Sequence, residues 1–485
     1  MKVLLVNPNS EIAETSWEYR RAVVPILPQG IAYISAVLER NGIEILVIDQ
    51  YAENMGNNRL IDRIDEEAPD IVGFSCLTAA MSNVARIIAG IRLLRKGIKV
   101  VLGNIHATVF ADELLRDGLA DVIVRGEGEE SMLELVLTIN QGMDLHSVKG
   151  ISFMNGGEVC HNCDREAVGN LDELPYPAWH LFNLRNYKKV PLVALRNTIF
   201  PIQASRGCPY KCFFCSQEKM HKGIRYRKVE SVVDEIECMI KKFGVYYFGF
   251  NDAYFPFSIE YGIRFCEELI RRGLEKKIKW ITETRVDMVN LDLLRKMKKA
   301  GVHLIMYGFE VGNQEVLSKT GKRTTLEQAK EAMRMTKKAK ILSLGLFMLG
   351  LPGETIVSCE DTIRFANELD CDIAKFNIAV PLPGSEFFAG YIGKKEAVGD
   401  TSKFTSWFDW SSLSNSGQLL STPQDVSSRE LVDLQRKAMF SFYLKPRIIF
   451  RHLFITSFSD LYFGFYILAR KYLKSFFRRS IISTK

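Results

Sequence analysis

From Met1 to about Asn140 the chain alternates short apolar runs with longer stretches whose apolar residues recur at helical spacing. The runs Lys2–Val6, Glu44–Ile48, Ile71–Ser75, Val100–Leu102 and Asp121–Val124 read as strands, and Gly30–Arg40 and Ala79–Leu94 read as helices between them. Apolar strands alternating with amphipathic helices predict an α/β unit, a parallel sheet covered on both faces. Open sheets of this kind bind ligands outside the carboxyl ends of their strands. Three of these ends carry notable loops: Asn7-Pro8-Asn9-Ser10, Ser75-Cys76-Leu77-Thr78 and Gly103-Asn104-Ile105-His106.

Residues from about Val148 to Val190 break the alternation. Asn155-Gly156-Gly157 is a hairpin turn signal and Leu174-Pro175-Tyr176-Pro177 a stiff extended segment, so this stretch reads as a connector. A second strand–helix series starts at Pro191, with strands at Ile199–Ala204, Tyr247–Phe250, Lys279–Thr282, His303–Phe309, Ser343–Leu349 and Ile373–Ile378. The last 95 residues turn aromatic-rich and helical, for example at Ser427–Tyr443 and Arg447–Phe476. The expected division is 1–145, a connector at 146–190, 191–390, and a mainly helical region at 391–485.

A chain of 485 residues with 47% apolar and 25% charged residues has ample core for several domains. Its net charge of +7 is modest for that length and concentrated towards the C-terminus, which argues against a nucleic-acid partner. The opening Met-Lys-Val-Leu-Leu-Val-Asn-Pro is too short in its apolar run for a signal peptide and reads as a strand.

Chemistry enters with Cys208, Cys212 and Cys215, in the run Ala-Ser-Arg-Gly-Cys-Pro-Tyr-Lys-Cys-Phe-Phe-Cys-Ser-Gln. Three thiolates on one tight loop can hold three corners of a [4Fe–4S] cluster and leave one iron open. A structural zinc site or buried thiols are the alternatives, but zinc ligands usually come as paired CxxC or with histidine, and neither accompanies this loop. The ten cysteines are irregularly spaced and do not form a disulfide framework, and an oxygen-sensitive cluster needs a reducing compartment, so a cytoplasmic location is expected.

With Phe214 before the last cysteine, this loop resembles that of the radical S-adenosylmethionine (SAM) enzymes. The resemblance implies a partial (βα)6 barrel over the second series, SAM chelated at the open iron, and reductive release of a 5′-deoxyadenosyl radical. The N-terminal region resembles the flavodoxin- or Rossmann-like cobalamin-binding domain fused ahead of many such barrels. Ser75-Cys76-Leu77 fits its Ser-x-Leu element, Gly103-Asn104 stands where that family has Gly-Gly, and Arg125-Gly126-Glu127-Gly128-Glu129 resembles its closing Gly-Glu-Gly-Glu turn. The loop after the first strand, at Asn7, lacks the family's cobalt-ligating histidine, and the first histidine in the chain is His106. The resemblance therefore implies cobalamin without a histidine from that loop. His106 reads as a loop histidine bonded to a nearby carbonyl ahead of a cobalamin contact.

The same resemblance implies roles along the barrel. Asp252, in Gly249-Phe250-Asn251-Asp252, is either an acceptor for the SAM amine or a helix N-cap. Arg285 is either a fork on the SAM carboxylate or a barrel-rim salt bridge. Glu310, in Tyr307-Gly308-Phe309-Glu310-Val311-Gly312, is expected near the ribose, and the turn Gly350-Leu351-Pro352-Gly353-Glu354-Thr355 near the adenine. Pro381-Leu382-Pro383-Gly384-Ser385 matches the turn that closes such barrels.

Cys160-His161-Asn162-Cys163 has no second ligand pair nearby and reads as a surface hairpin, and Cys238, Cys266, Cys359 and Cys371 read as core. The tail Arg451–Arg479 is too interrupted to span a bilayer; it either packs on the barrel to close the substrate pocket or lies on a membrane as a basic amphipathic helix. The expected activity is methylation of an unactivated carbon in a small molecule, which the aromatic-rich tail suggests is apolar, by way of methylcobalamin and with an electron donor such as a flavodoxin or ferredoxin. Oxidative cyclisation is the alternative, and an RNA methylthiotransferase a weaker one.

Overall fold

The structure is a computed structural model that describes residues 1–10, 25–94, 97–188, 198–397 and 421–455. Five strands form the N-terminal parallel sheet: β1 (Lys2–Asn7), β2 (Glu44–Asp49), β3 (Ile71–Ser75), β4 (Lys99–Gly103) and β5 (Val122–Val124), in the order β2-β1-β3-β4-β5. That order is flavodoxin-like, with its switch point between β1 and β3. Alternate strand residues serve opposite faces: Val3, Leu5 and Val101 join one apolar cluster, whereas Leu4, Val6 and Leu102 join another. Helices α1 (Gln29–Arg40), α2 (Asn57–Glu67) and α3 (Met81–Leu94) follow the first three strands. The expected loop at His106 is instead helix α4 (Asn104–Val109), continued by α5 (Ala111–Arg116), and α6 (Glu129–Asn140) follows β5.

The expected connector begins as part of this sheet. Its hairpin, β6 (Ile151–Asn155) and β7 (Glu158–His161), turns at Gly156-Gly157 and adds antiparallel to β5, with Val122 opposite Phe153. Further on, the wholly buried Trp179 and the bond from Ala178 N–H to Ala32 O (3.0 Å) pin the chain to α1.

The second sheet is all parallel, in the order β15-β14-β13-β12-β11-β8. Its members are β8 (Phe200–Ile202), β11 (Tyr247–Phe250), β12 (Lys279–Thr284), β13 (Val302–Glu310), β14 (Leu342–Leu349) and β15 (Ile373–Ile378). The short ribbon β9 (Ser205–Arg206) and β10 (Arg225–Tyr226) brackets helix α7 (Gln217–Met220). Helices α8 (Val229–Phe243), α9 (Ile259–Arg271), α10 (Leu291–Lys299), α11 (Gln314–Lys319), α12 (Leu326–Lys338) and α13 (Ile356–Leu369) alternate with the strands, and α14 (Glu386–Ala397) follows the last. Strand order equal to chain order, with a helix after each strand, is an open (βα)6 barrel. Glu283 on β12 and Lys375 on β15 feel each other's charge although two strands separate them, as a curled sheet requires.

Inside the curl, Tyr247, Ile281, Leu304, Leu344 and Ile373 form an apolar floor. Two residues further along the same faces, the lumen turns polar at Glu283 and Lys375, because side chains recur every second residue. The outer edge of β15 is covered by α15 (Ser428–Tyr443), whose Tyr443 hydroxyl donates to Ala374 O at 2.7 Å, and α16 (Pro446–Ile455) follows. No helix among the described residues is long and apolar enough to cross a membrane. Most of the basic tail, from residue 456 on, lies outside the described residues.

Candidate functional site

The cysteine loop is held at both ends. Asp252 accepts from Ala204 N–H (3.2 Å) and from the Ser205 hydroxyl (2.5 Å), just before the loop. Gly207 has φ +86°, and a side chain there would run into the Gly223 carbonyl, so this turn requires glycine. Within the loop Cys215 N–H bonds Cys212 O (2.9 Å), and Phe213 N–H bonds Thr320 O (3.0 Å) from the barrel rim. Cys208 and Cys212 are part-buried and Cys215 is exposed. Burial pushes the Cys212 thiol up to about 11 and raises Cys215 as well, so a cationic metal is what would hold them as thiolates. Among the described residues no three His, Cys, Asp or Glu side chains converge on one ion position. A cubane offers three separate iron corners, so its ligands need not converge.

A cavity of about 490 Å³ lies between the two sheets, bordered by Gln217, Met220 and His221 just past the cysteine loop. One part of it is a slot along the N-terminal sheet, walled by Leu5, Ile34, Val101 and Met132 and opened by Gly73. A Cβ on Gly73 would stand 2.6 Å from the Leu5 side chain. The mouth is polar, with Ser75, Gly103 and Asn104 from the sheet and Gln203, Gln217 and Asn251 from the barrel. Asn104 adopts φ +78° and donates to Ser75 Oγ at 3.0 Å. Asparagine tolerates the left-handed region better than other residues with a side chain, so Gly-Asn can take the backbone path of Gly-Gly.

The turn at Gly126–Glu129 fastens the two halves. Arg206 reaches Glu129 at 2.5 Å and Glu127 at 3.3 Å, all three nearly inaccessible to solvent. His221 (2.8 Å) and Arg225 (2.5 Å) complete the set around Glu127. Burial alone would push Glu127 up, but the hydrogen bonds from His221 and Arg225 and the charge of Arg206 hold it far below the carboxylate range.

At the barrel mouth Glu310 sits at a register shift in β13, with φ +66°. Such strain persists only where the surroundings enforce it. Its carboxylate pairs with Lys322, whose ammonium also donates to Gly308 O. Burial raises Glu283, with the nearby Glu310 charge adding to the shift.

The chain's residues 21–136 match the family model for the B12 binding domain, and residues 202–366 match that of the radical SAM superfamily. It is 30% identical to an uncharacterised methyltransferase of Pyrococcus horikoshii, over 94% of this chain and 95% of the relative. It is 31% identical to the anaerobic magnesium-protoporphyrin IX monomethyl ester cyclase of Cereibacter sphaeroides, over 92% of this chain and 71% of the relative. In fold it resembles the radical SAM methyltransferase TsrM of Kitasatospora setae, solved with cobalamin and a [4Fe–4S] cluster, at a TM-score of 0.66 and 20% identity over 82% of this chain and 76% of that one. This chain is a cobalamin-binding radical SAM enzyme.

The cavity fits the enzyme's corrinoid. A ring edged with neutral amides suits the uncharged Ser75, Asn104, Gln203, Gln217 and Asn251 at the mouth, and a flat aromatic base on its tail suits the apolar slot. Arg206, Glu127, Glu129 and His221, which also line the cavity, are paired with one another. Ser75, Leu77, Gly103 and Asn104 line it. Asn7 does not: its amide donates to Asp49 at 3.1 Å. The weighed cobalamin contact of His106 is corrected too. Its ring is 1% exposed, stacks on Phe110 and meets Thr78 Oγ1, off the cavity. Burial holds it neutral, with its pKa lowered to about 3.

In the barrel, Asp252 is committed to the loop backbone as described above, and Arg285 to a rim network. Arg285 forks onto Asp287 (3.0 and 2.8 Å), donates to Lys322 O (2.8 Å) and lies 3.4 Å from the centre of the Tyr210 ring. Glu354 accepts from Gly350 and Leu351 N–H (2.7 and 2.8 Å) and closes its own turn, with burial pushing it up to about 7. Gly350 has φ +89° and abuts Leu431 of α15, and Phe214 packs edge-on to Phe213. Of the barrel candidates, Glu310 alone presents a charged group at the mouth. Sequence reading missed Gln29, Arg206, Gln217, His221, Asn251 and Lys322. Arg206, Gln217 and His221 flank the cysteine run and Asn251 precedes Asp252, so proximity to motifs was the available signal. Lys322 carried none.

Proposed function

We propose that this enzyme methylates an unactivated carbon of a small molecule held in the barrel lumen. One observation carries the reading: Gln217 and Met220, directly after the cluster cysteines, line the same cavity as Ser75 and Gly103 of the corrinoid sheet. On this reading a radical source and a methyl source stand against one substrate, which is the proximity a two-cofactor reaction needs. When bound, the cluster with SAM supplies a 5′-deoxyadenosyl radical, and the corrinoid supplies the methyl group.

The chain's own residues prepare that meeting. Cys208, Cys212 and Cys215 hold the cluster from a loop fixed to the barrel rim. Glu310, oriented by Lys322, faces the mouth with acceptors suited to hydroxyls. The apolar floor under Glu283 keeps water from the lumen base, which protects a carbon radical from side reactions. Electron delivery by a flavodoxin or ferredoxin, a cytoplasmic setting and peripheral membrane contact through the C-terminal tail belong to the same proposal.

Ring closure by oxidation is the second reading, favoured by the 31% identity to a cyclase. Anaerobic incubation with dithionite, methyl-deuterated SAM and a small-molecule extract separates them. Methyl transfer yields 5′-deoxyadenosine together with S-adenosylhomocysteine and a product bearing one labelled methyl. Release of 5′-deoxyadenosine with no S-adenosylhomocysteine and no label in any product would replace methylation by oxidation.

A further inference from the structure

Gln29 opens helix α1 at the cavity mouth and is 5% exposed. Its Oε1 accepts from Asn251 Nδ2 at 3.0 Å, a bond between residues 222 positions apart that joins the N-terminal sheet's first helix to the end of β11 in the barrel. Its Nε2 has no hydrogen-bond partner among the described residues. Helix α1 has no side-chain cap at this end, and Gln29, Gly30 and Ile31 all border the cavity. Buried polar groups are nearly always paired, so an orphaned donor at a cavity wall marks where a ligand acceptor belongs.

We propose that Gln29, held by Asn251 across the domain boundary, donates a hydrogen bond to the bound corrinoid, so that cofactor capture and domain docking reinforce one another. The bond from Asn251 occupies the carbonyl end of the amide, which leaves only N–H to face the ligand. The ligand atom is therefore an acceptor, either an amide carbonyl on the corrin rim or a phosphate oxygen of the nucleotide tail. An amide nitrogen has no lone pair to give a metal, so Gln29 in this pose positions the corrinoid without ligating cobalt. Loss of Asn251 frees the amide to rotate and costs the preorganisation rather than the contact itself.

The inference rests on the corrinoid reading of the cavity, and its failure is separable from failure of that reading. If the unsubstituted enzyme takes up no hydroxocobalamin, the cavity assignment is wrong. The test uses the full chain with its cluster reconstituted, with hydroxocobalamin and cobinamide binding followed by equilibrium dialysis and visible spectra. Gln29→Leu and Gln29→Glu, the latter keeping size but removing the donor, each weaken hydroxocobalamin binding about tenfold. Iron content and the melting temperature without corrinoid stay unchanged, which reports that the fold is intact. Asn251→Ala weakens binding by a smaller factor, and the Q29L/N251A pair binds no worse than Q29L alone, as expected for two residues acting through one contact. An equal loss with cobinamide puts the acceptor on the ring, and a loss with cobalamin alone puts it on the tail; both support the contact. Binding within twofold of the unsubstituted enzyme for both Gln29 variants overturns it, as do losses that multiply in the double variant.

Discussion

The carboxyl edge of the N-terminal sheet presents uncharged groups at Ser75, Gly103, Asn104 and Gln29, and its carboxylates Glu127 and Glu129 are tied up by Arg206. The corresponding edge of the barrel presents Glu283, Glu310 and Lys322. Both edges obey the same rule, that parallel sheets bind at their strand ends, yet they are armed for opposite ligands. A large neutral ring is held by room, by hydrogen bonds and by an apolar slot, and any unpaired charge there would be desolvated at a loss. SAM, a sulfonium cation that also carries an ammonium and a carboxylate, rewards charged partners in a mouth that shields them from water. Between the two edges, Arg206, Glu127 and Glu129 form the buried seam.

The comparison breaks hardest at the cluster loop. Replacing Cys208, Cys212 or Cys215 by Ala removes iron and lowers 5′-deoxyadenosine formation by roughly 1,000-fold or more, because ligands of one centre act as a unit. Corrinoid uptake, which belongs to the other edge, persists; its loss in dialysis would show that the edges are not independent.

The seam comes next. Arg206→Leu leaves Glu129 without its buried counter-ion, while Glu127 keeps Arg225 and His221, and this costs about 3–5 kcal/mol in denaturant unfolding. A change under 1 kcal/mol would mean that the pair is solvated.

The slot sharpens the contrast further. Gly73→Val fills the space beside Leu5 and lowers cobalamin affinity about 100-fold, while cobinamide, which lacks the tail base, loses much less. Dithionite-driven SAM cleavage stays near its unsubstituted rate, and equal losses for both corrinoids would remove the slot from the account.

The smallest effect is in pH. His106 is held neutral by burial, with a folded pKa of about 3 against 6.5 when free. Below pH 6.5 the unfolded chain binds a proton that the folded chain refuses, so this contribution is present above that pH and falls as pH drops. Between pH 6.5 and 5 the unsubstituted enzyme should lose about 1–2 kcal/mol more than His106→Asn. Parallel unfolding curves for the two would remove burial of the imidazole as the cause.

Much of this was legible in the residues. Ile71–Ser75, Tyr247–Phe250 and Ile373–Ile378 are strands over the ranges that apolar spacing marks, and elsewhere the strand ends moved by one or two residues. The departures have local causes. The loop expected at His106 is a helix because Asn104 takes the left-handed turn that starts it. Arg285 takes its alternative role, a rim salt bridge to Asp287. Asp252 caps no helix: Ser258 caps the helix that follows, and Asp252 instead accepts from Ala204 and Ser205 across the neighbouring strand end. Spacing alone does not rank those partners.

What the sequence determined by itself was two series of parallel strands and a three-thiolate loop, since side-chain periods of 2 and 3.6 and a cysteine triplet are written in near neighbours. Only the tertiary structure decided that the two strand edges share one cavity, that Arg206 closes on Glu127 and Glu129, and that Gln29 meets Asn251. Those contacts join residues 77 to 222 positions apart. Their geometry is set by how the two sheets dock, and no local periodicity encodes it.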